Sequence, residues 1–190
     1  GETPKHRTRS FVVDDRLAID AGALTSGLDL KAQFRLQACL VSHAHLHHIR
    51  DLATIADNRC QARCEPLVIA ATKPTIRVLK KHFFNNLIWP DFSVIQTSAG
   101  PPIRYVALEP GATEEIAGYQ VTTVPVAHTI DSSGFVVRGA DATLGYSGDT
   151  GPTERLWKVL RAEKNLKALL MEVSFPNVEQ KLATVSGHHT

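Results

Sequence analysis

Four imidazoles lie within six residues in His43-Ala44-His45-Leu46-His47-His48. An extended backbone points residues 43 and 45 the same way, and a turn into a helix re-aims 47 and 48. Protonated imidazoles at this spacing would repel one another, whereas neutral imidazole is a leading ligand for Zn²⁺ and related cations. A surface or tag-like tract would sit at a disordered terminus. This run instead lies between the apolar Ala38-Cys39-Leu40-Val41 and a segment, Ile49 to Ala56, with apolar residues at helical spacing. Metal ligation is the chemistry that such a run serves. Further histidines follow at His128 and at His188-His189.

Those residues need elements to hold them. Ser10 to Val13 and Leu17 to Ile19 flank Asp14-Asp15-Arg16 and predict a hairpin, and Ala38 to Val41 predicts a buried strand whose C-terminal end delivers the histidine run. Leu67 to Ala70 predicts a further strand, with Thr72 as N-cap and Pro74 in the first turn of a helix toward His82. Beyond Trp89-Pro90-Asp91, the segments Arg104 to Leu108, Tyr119 to Val124, Phe135 to Arg138 and Thr143 to Tyr146 predict a β-meander. Pro152 starts a helix to about Ala162, and Ala168 to Met171 predicts another buried strand. The expectation is one α/β (α+β) domain over residues 1–190, with sheets covered by outer helices in an αββα sandwich.

The bulk numbers narrow the function classes. Lys and Arg number 21 against 19 Asp and Glu, a net charge of +2, which gives no electrostatic case for a nucleic-acid polymer. No apolar run approaches a bilayer span, and Gly1-Glu2-Thr3-Pro4-Lys5 has no signal-peptide core. The three cysteines, Cys39, Cys60 and Cys64, form no disulfide framework and lack the second pair of a structural zinc site. A small-molecule substrate, a cytoplasmic location and no membrane partner follow as expectations, with a homodimer as the assembly to test. No Ser-His-Asp or GxSxG pattern offers a side-chain nucleophile.

The histidine run resembles the HxHxDH signature of the metallo-β-lactamase superfamily. Val126-Ala127-His128-Thr129, Tyr146-Ser147-Gly148-Asp149-Thr150 and Ser186-Gly187-His188 resemble its later metal motifs, in the same order. Within the superfamily the chain is most similar to class II cyclic-nucleotide phosphodiesterase-like hydrolases, through Ser42-His43-Ala44-His45-Leu46, Asn86-Leu87-Ile88-Trp89-Pro90-Asp91-Phe92, Glu172-Val173-Ser174-Phe175-Pro176-Asn177 and Ser186-Gly187-His188. The resemblance also implies that the domain is seen incomplete: Gly1 follows the family's first strand and glycine-rich turn, and Thr190 directly follows its last ligand motif.

The resemblance implies that His43, His45 and His128 hold one metal, that His48 and His188 hold a second with His47, and that Asp149 bridges them. Asp149 and His188 are the positions assigned to catalysis itself. Zn²⁺ is the first choice of cation, one or two per chain, with Mn²⁺ or Fe as alternatives. A metal-activated hydroxide would attack a cyclic nucleotide or another small phosphodiester. Asp20 and Glu172, each ending a β-run, are candidates to orient ligand imidazoles. The chain departs from the family at His47, where the family has aspartate, so the second metal site loses a negative charge. Two alternatives stay open: hydrolysis of an ester, thioester, lactone or sulfate ester, and a non-catalytic metal-binding regulatory module.

Overall fold

Asp14 and Asp15 both take positive φ, 48° and 57°, and Arg16 N–H donates to Val13 O at 3.0 Å. Positive φ at both central residues gives a turn whose twist suits a hairpin, and the three residues Asp14, Asp15 and Arg16 join β1 (Phe11–Val13) to β2 (Leu17–Ile19) in antiparallel register. The computed structural model describes residues 2, 3 and 5–190. Two compact units divide at Ala107/Leu108, and each carries one five-stranded sheet.

In the first unit the sheet order is β1-β2-β3-β4-β5, with β3 (Ala38–Leu40) parallel to β2 and to β4 (Leu67–Thr72). Parallel neighbours need crossovers, which cover both faces of the strands between them. Hence β2 and β3 are buried at every residue. The first crossover holds α1 (Leu24–Gly27) and α2 (Leu30–Arg35), the second α3 (Leu46–Ile49) and α4 (Asp51–Ala62). Asp29 caps α2 by accepting from Ala32 N–H. Buried Arg59 on α4 donates to the carbonyls of Gln33 and Glu65, tying α4 to the end of α2. Thr72 caps α5 (Lys73–Val78), with Pro74 in its first turn, and the helix widens into a π turn over Leu79–Phe83.

The meander differs from its sequence reading in two strands, one placed in the other sheet and one, Thr113–Ile116, added. Ile103–Leu108 is β5 and lies at the edge of the first sheet, where Leu67 N–H donates to Pro102 O. Alternation of apolar and polar residues names a strand but not its partner. The second sheet runs β10-β9-β8-β7-β6, with β6 (Thr113–Ile116), β7 (Tyr119–Pro125), β8 (Ser133–Arg138) and β9 (Thr143–Tyr146) antiparallel in sequence order. The amphipathic α6 (Glu154–Ala162) then crosses over to β10 (Leu166–Leu170), which pairs parallel to β9 and, contrary to the buried strand expected from its apolar sequence, is largely exposed. Leu156 and Leu160 of α6 pack with Val124 and Val136 as this unit's core. A last helix, α7 (Gln180–Ser186), ends at Gly187.

Candidate metal centre

The first cluster grows from the C-terminal ends of β2 and β3. Val41 N–H still pairs with Ala70 O, and the chain then leaves the sheet as Ser42-His43. Asp20, the first residue after β2, adopts a left-handed φ of 56°, a conformation Asp tolerates better than most residues. Its carboxylate is fully buried and accepts three hydrogen bonds: Oδ1 from Ser42 N–H at 2.8 Å, and Oδ2 from Ser42 Oγ at 2.8 Å and from His48 Nδ1 at 2.7 Å. The rings pack closely, with centroids 4.2 Å apart for His43 and His48, 4.4 Å for His47 and His48, and 4.7 Å for His43 and His45. Ligand nitrogens of His43, His47 and His48 lie within 4.8 Å of one another. His43 Nε2 is 3.0 Å from His45 Nδ1.

Electrostatics keep this cluster ready for a cation. His47 is pulled down to about 4, first by desolvation and then by the neighbouring His48, His45 and Arg9. Its imidazole is therefore neutral at neutral pH, as a ligand must be. The run is also braced from behind. Ala21 N–H donates to His48 O at 2.6 Å, and a Cβ at Gly22 would stand 2.0 Å from His47 O, so glycine is required by close approach of the backbone.

In the second unit the ligand-type residues come from separate loops. His128 follows β7, Asp149 follows β9 through Ser147 and Gly148, and His188 follows α7. Their ligand atoms lie within 4.8 Å of one another. His128 Nδ1 lies 2.8 Å from Gly187 O, and a carbonyl can only accept, so Nδ1 carries the proton and Nε2 keeps its lone pair. His188 Nδ1 contacts Glu172 Oε1 at 2.9 Å, and Glu172 Oε2 also accepts from His189 N–H. Ser147 Oγ accepts from Glu172 N–H and so fixes the backbone of that carboxylate. Gly187 has φ 69°, and a Cβ there would stand 3.1 Å from His128 Nδ1.

The donor set fits a divalent cation of the zinc type. Zinc–nitrogen bonds of about 2.0–2.1 Å in a tetrahedral site put ligand atoms roughly 3.3 Å apart, inside the 4.8 Å within which the ligand atoms of each cluster lie, and the buried carboxylates behind the imidazoles fix ring orientation. Within the first unit the structure gathers His43, His45, His47 and His48; within the second it gathers His128, Asp149 and His188, with His189 beside that group. Asp20 and Glu172 each touch an imidazole, the relation expected of them. Sequence reasoning missed Ser42, Gly22, Gly187 and Ser147, whose parts depend on what they touch. Trp89 Nε1 donates to Ala53 O and Phe92 is buried, which makes both packing residues.

A family model described as the beta-lactamase superfamily domain matches residues 18–190. The chain belongs to this superfamily. Among superfamily relatives, the 3',5'-cyclic-nucleotide phosphodiesterase of Aliivibrio fischeri is 30% identical over 175 residues, which are 82% of this chain and 50% of that protein. The chain thus spans about half the length of the curated relatives it matches. Among solved structures, the metallo-beta-lactamase fold protein YhfI of Bacillus subtilis superposes with a TM-score of 0.74 at 18% identity, over 99% of this chain and 71% of that one. Unliganded yeast PDE1 superposes with a TM-score of 0.71 at 22% identity, over 86% of this chain and 52% of that one. At such identities the two structures establish the shared fold. The superfamily reached from the motifs is the one matched, and the match crosses both units.

Proposed function

We propose that this protein is a metal-dependent phosphodiesterase acting on a cyclic nucleotide or another small phosphodiester. In this reading His43, His45 and His128 would hold one cation, His48 and His188 with His47 would hold a second, and Asp149 would serve both. Asp149 and His188 are the residues this reading assigns to the catalytic step. When bound, the cations supply Lewis acidity and a nucleophile drawn from water at neutral pH. The chain's own residues supply orientation. Asp20 anchors His48, Glu172 anchors His188 and the Gly187 carbonyl anchors His128, each at Nδ1, which leaves Nε2 for ligation. The single observation that carries the reading is this repeated anchoring, in chemistry that a purely structural histidine does not need.

The phosphodiester preference is supported by relatives named as cyclic-nucleotide phosphodiesterases. His47 favours a second reading in which one cation binds tightly and the other weakly, since a neutral imidazole offers a ligand without compensating charge. The reading keeps the enzyme cytoplasmic and leaves a homodimer to be measured by solution mass. The test is turnover of 3',5'-cyclic AMP and bis(p-nitrophenyl) phosphate, beside thioester, lactone and sulfate-ester substrates, by chelated and by Zn²⁺- or Mn²⁺-reloaded protein. Chelation is expected to abolish turnover, reloading to restore it, and His45→Ala to abolish it permanently. Undiminished turnover by protein shown metal-free by elemental analysis would overturn the proposal.

A further inference from the structure

Three of the ligand-type imidazoles present Nδ1 to a group that can only accept a hydrogen bond. His43 does not: its Nδ1 is 3.0 Å from the hydroxyl of Ser42, which could in principle donate or accept. A hydroxyl has one proton and two lone pairs. Ser42 Oγ is also 2.8 Å from Asp20 Oδ2, and a carboxylate has no proton to give, so the single proton of Ser42 points at Asp20. Only a lone pair is left to face His43, and the contact is a hydrogen bond only if His43 Nδ1 carries the proton. His48 Nδ1, 3.5 Å from the same hydroxyl, already directs its proton to Asp20 at 2.7 Å.

We propose that Ser42 is a positioning residue that holds His43 as its Nδ1–H tautomer and thereby makes Nε2 the ligating atom. One buried carboxylate then sets the ligating nitrogen of two imidazoles, His48 directly and His43 through the serine hydroxyl. Asp20, Ser42, His43 and His48 are all 0% exposed, so bulk solvent offers no substitute acceptor. The metal-binding consequence rests on the proposed function; the tautomer assignment does not.

The experiment separates the two. Metal-free protein labelled with ¹⁵N-histidine is measured in EDTA at neutral pH by long-range ¹H–¹⁵N correlation, with His43 assigned by its loss in His43→Asn. The parent protein is expected to show His43 as Nδ1–H, Ser42→Thr to retain it, and Ser42→Ala to lose it or mix tautomers. Observation of Nε2–H on His43 in the parent overturns the proposal without any variant having to fold. Zn²⁺ affinity by chelator competition is expected to fall about 10- to 100-fold in Ser42→Ala and to recover in Ser42→Thr, with both variants checked as folded by circular dichroism. Unchanged affinity in folded Ser42→Ala overturns the positioning role. An Nδ1–H His43 in a parent protein that binds no Zn²⁺ would sink the proposed function and leave the tautomer assignment standing.

Discussion

The two ligand clusters are built in opposite ways. In the first unit, four histidines follow one strand within six residues, and the carboxylate behind them lies at the edge of a sheet whose central strands are wholly buried. In the second unit, His128, Asp149 and His188 come from three separate loops that long-range bonds hold together. Gly151 N–H donates to Ala127 O, Ser147 N–H to Leu170 O, and His128 Nδ1 to Gly187 O. The elements around them are open: β10 is mostly exposed, as are Val178 and Val185 near and on α7. In the first cluster the Asp20 carboxylate and the imidazole it holds, His48, are both fully buried, whereas in the second the buried Glu172 carboxylate holds an imidazole, His188, that reaches solvent. The first should therefore be costly to disturb, and the second tolerant.

Removing the carboxylate behind each cluster tests this most directly. Asp20→Ala leaves Ser42 N–H, Ser42 Oγ and His48 Nδ1 without their acceptor in a site that water does not reach, and it puts Ala at a left-handed φ. Unsatisfied buried donors and the backbone penalty together give a loss of about 4 kcal/mol. Glu172→Ala frees His188 Nδ1 and His189 N–H, but the His188 side chain is 18% exposed and can turn to water, so about 1–2 kcal/mol is expected. Chemical denaturation of metal-free protein measures both. Equal losses would break the contrast.

Glycine substitutions give a smaller and sharper version of the same comparison. Gly22→Ala drives a methyl to 2.0 Å from a backbone oxygen of the histidine run, and because no flexible side chain can yield, about 2–3 kcal/mol is expected. Gly187→Ala meets His128 at 3.1–3.2 Å with φ 69°, so the left-handed penalty dominates, about 1–2 kcal/mol. Its distinct mark should be local: Gly187 O is the acceptor for His128 Nδ1, so Zn²⁺ affinity should fall more than stability does. Isothermal titration beside thermal melts tells the two apart, and parallel losses in both would show that Gly187 acts only as a helix stop.

What was legible in the sequence follows the same division. The hairpin at Asp14-Asp15, the Thr72 cap and the strand before His43 depend on neighbours in sequence, and they are found where propensity puts them. The short helices α1 and α2, the acidic strand Thr113–Ile116 and the solvated α7 carry weak periodicity, because few of their residues face a core. Ligand types were legible because imidazoles and an aspartate in motif order resemble a family. Their anchors were less so: Asp20 lies 28 residues from His48, and Glu172 lies 16 from His188. Ser42 stood in a segment that resembles the family but with no role attached, and Gly22 carried no role either, since one acts through a proton and the other through a missing Cβ.

The smallest effect expected concerns the exposed rim of the first cluster, His47. Its folded-state value is lowered from 6.5 to about 4, so between those values the unfolded chain binds a proton that the folded protein refuses. By linkage, stability rises with pH wherever the unfolded state holds more protons. The contribution of His47 is thus fully present above about pH 6.5 and declines as pH falls toward 4. Below that it no longer changes, because both states are protonated. Other groups titrate in the same window, so the useful quantity is the difference between parent protein and His47→Gln, both metal-free, in denaturation midpoints across pH 4 to 7. That difference should be constant at the top of the range and move against the parent as acid is added. With Zn²⁺ present the same protonation competes with ligation, and His47→Asp, whose carboxylate adds a negative charge that the neutral imidazole lacks, should hold the weaker cation more tightly at neutral pH than the parent does. A parent-minus-variant difference that does not vary between pH 4 and 6.5 would show that His47 is solvated enough to protonate freely, and that the rigidity of the first cluster stops short of its outermost ring.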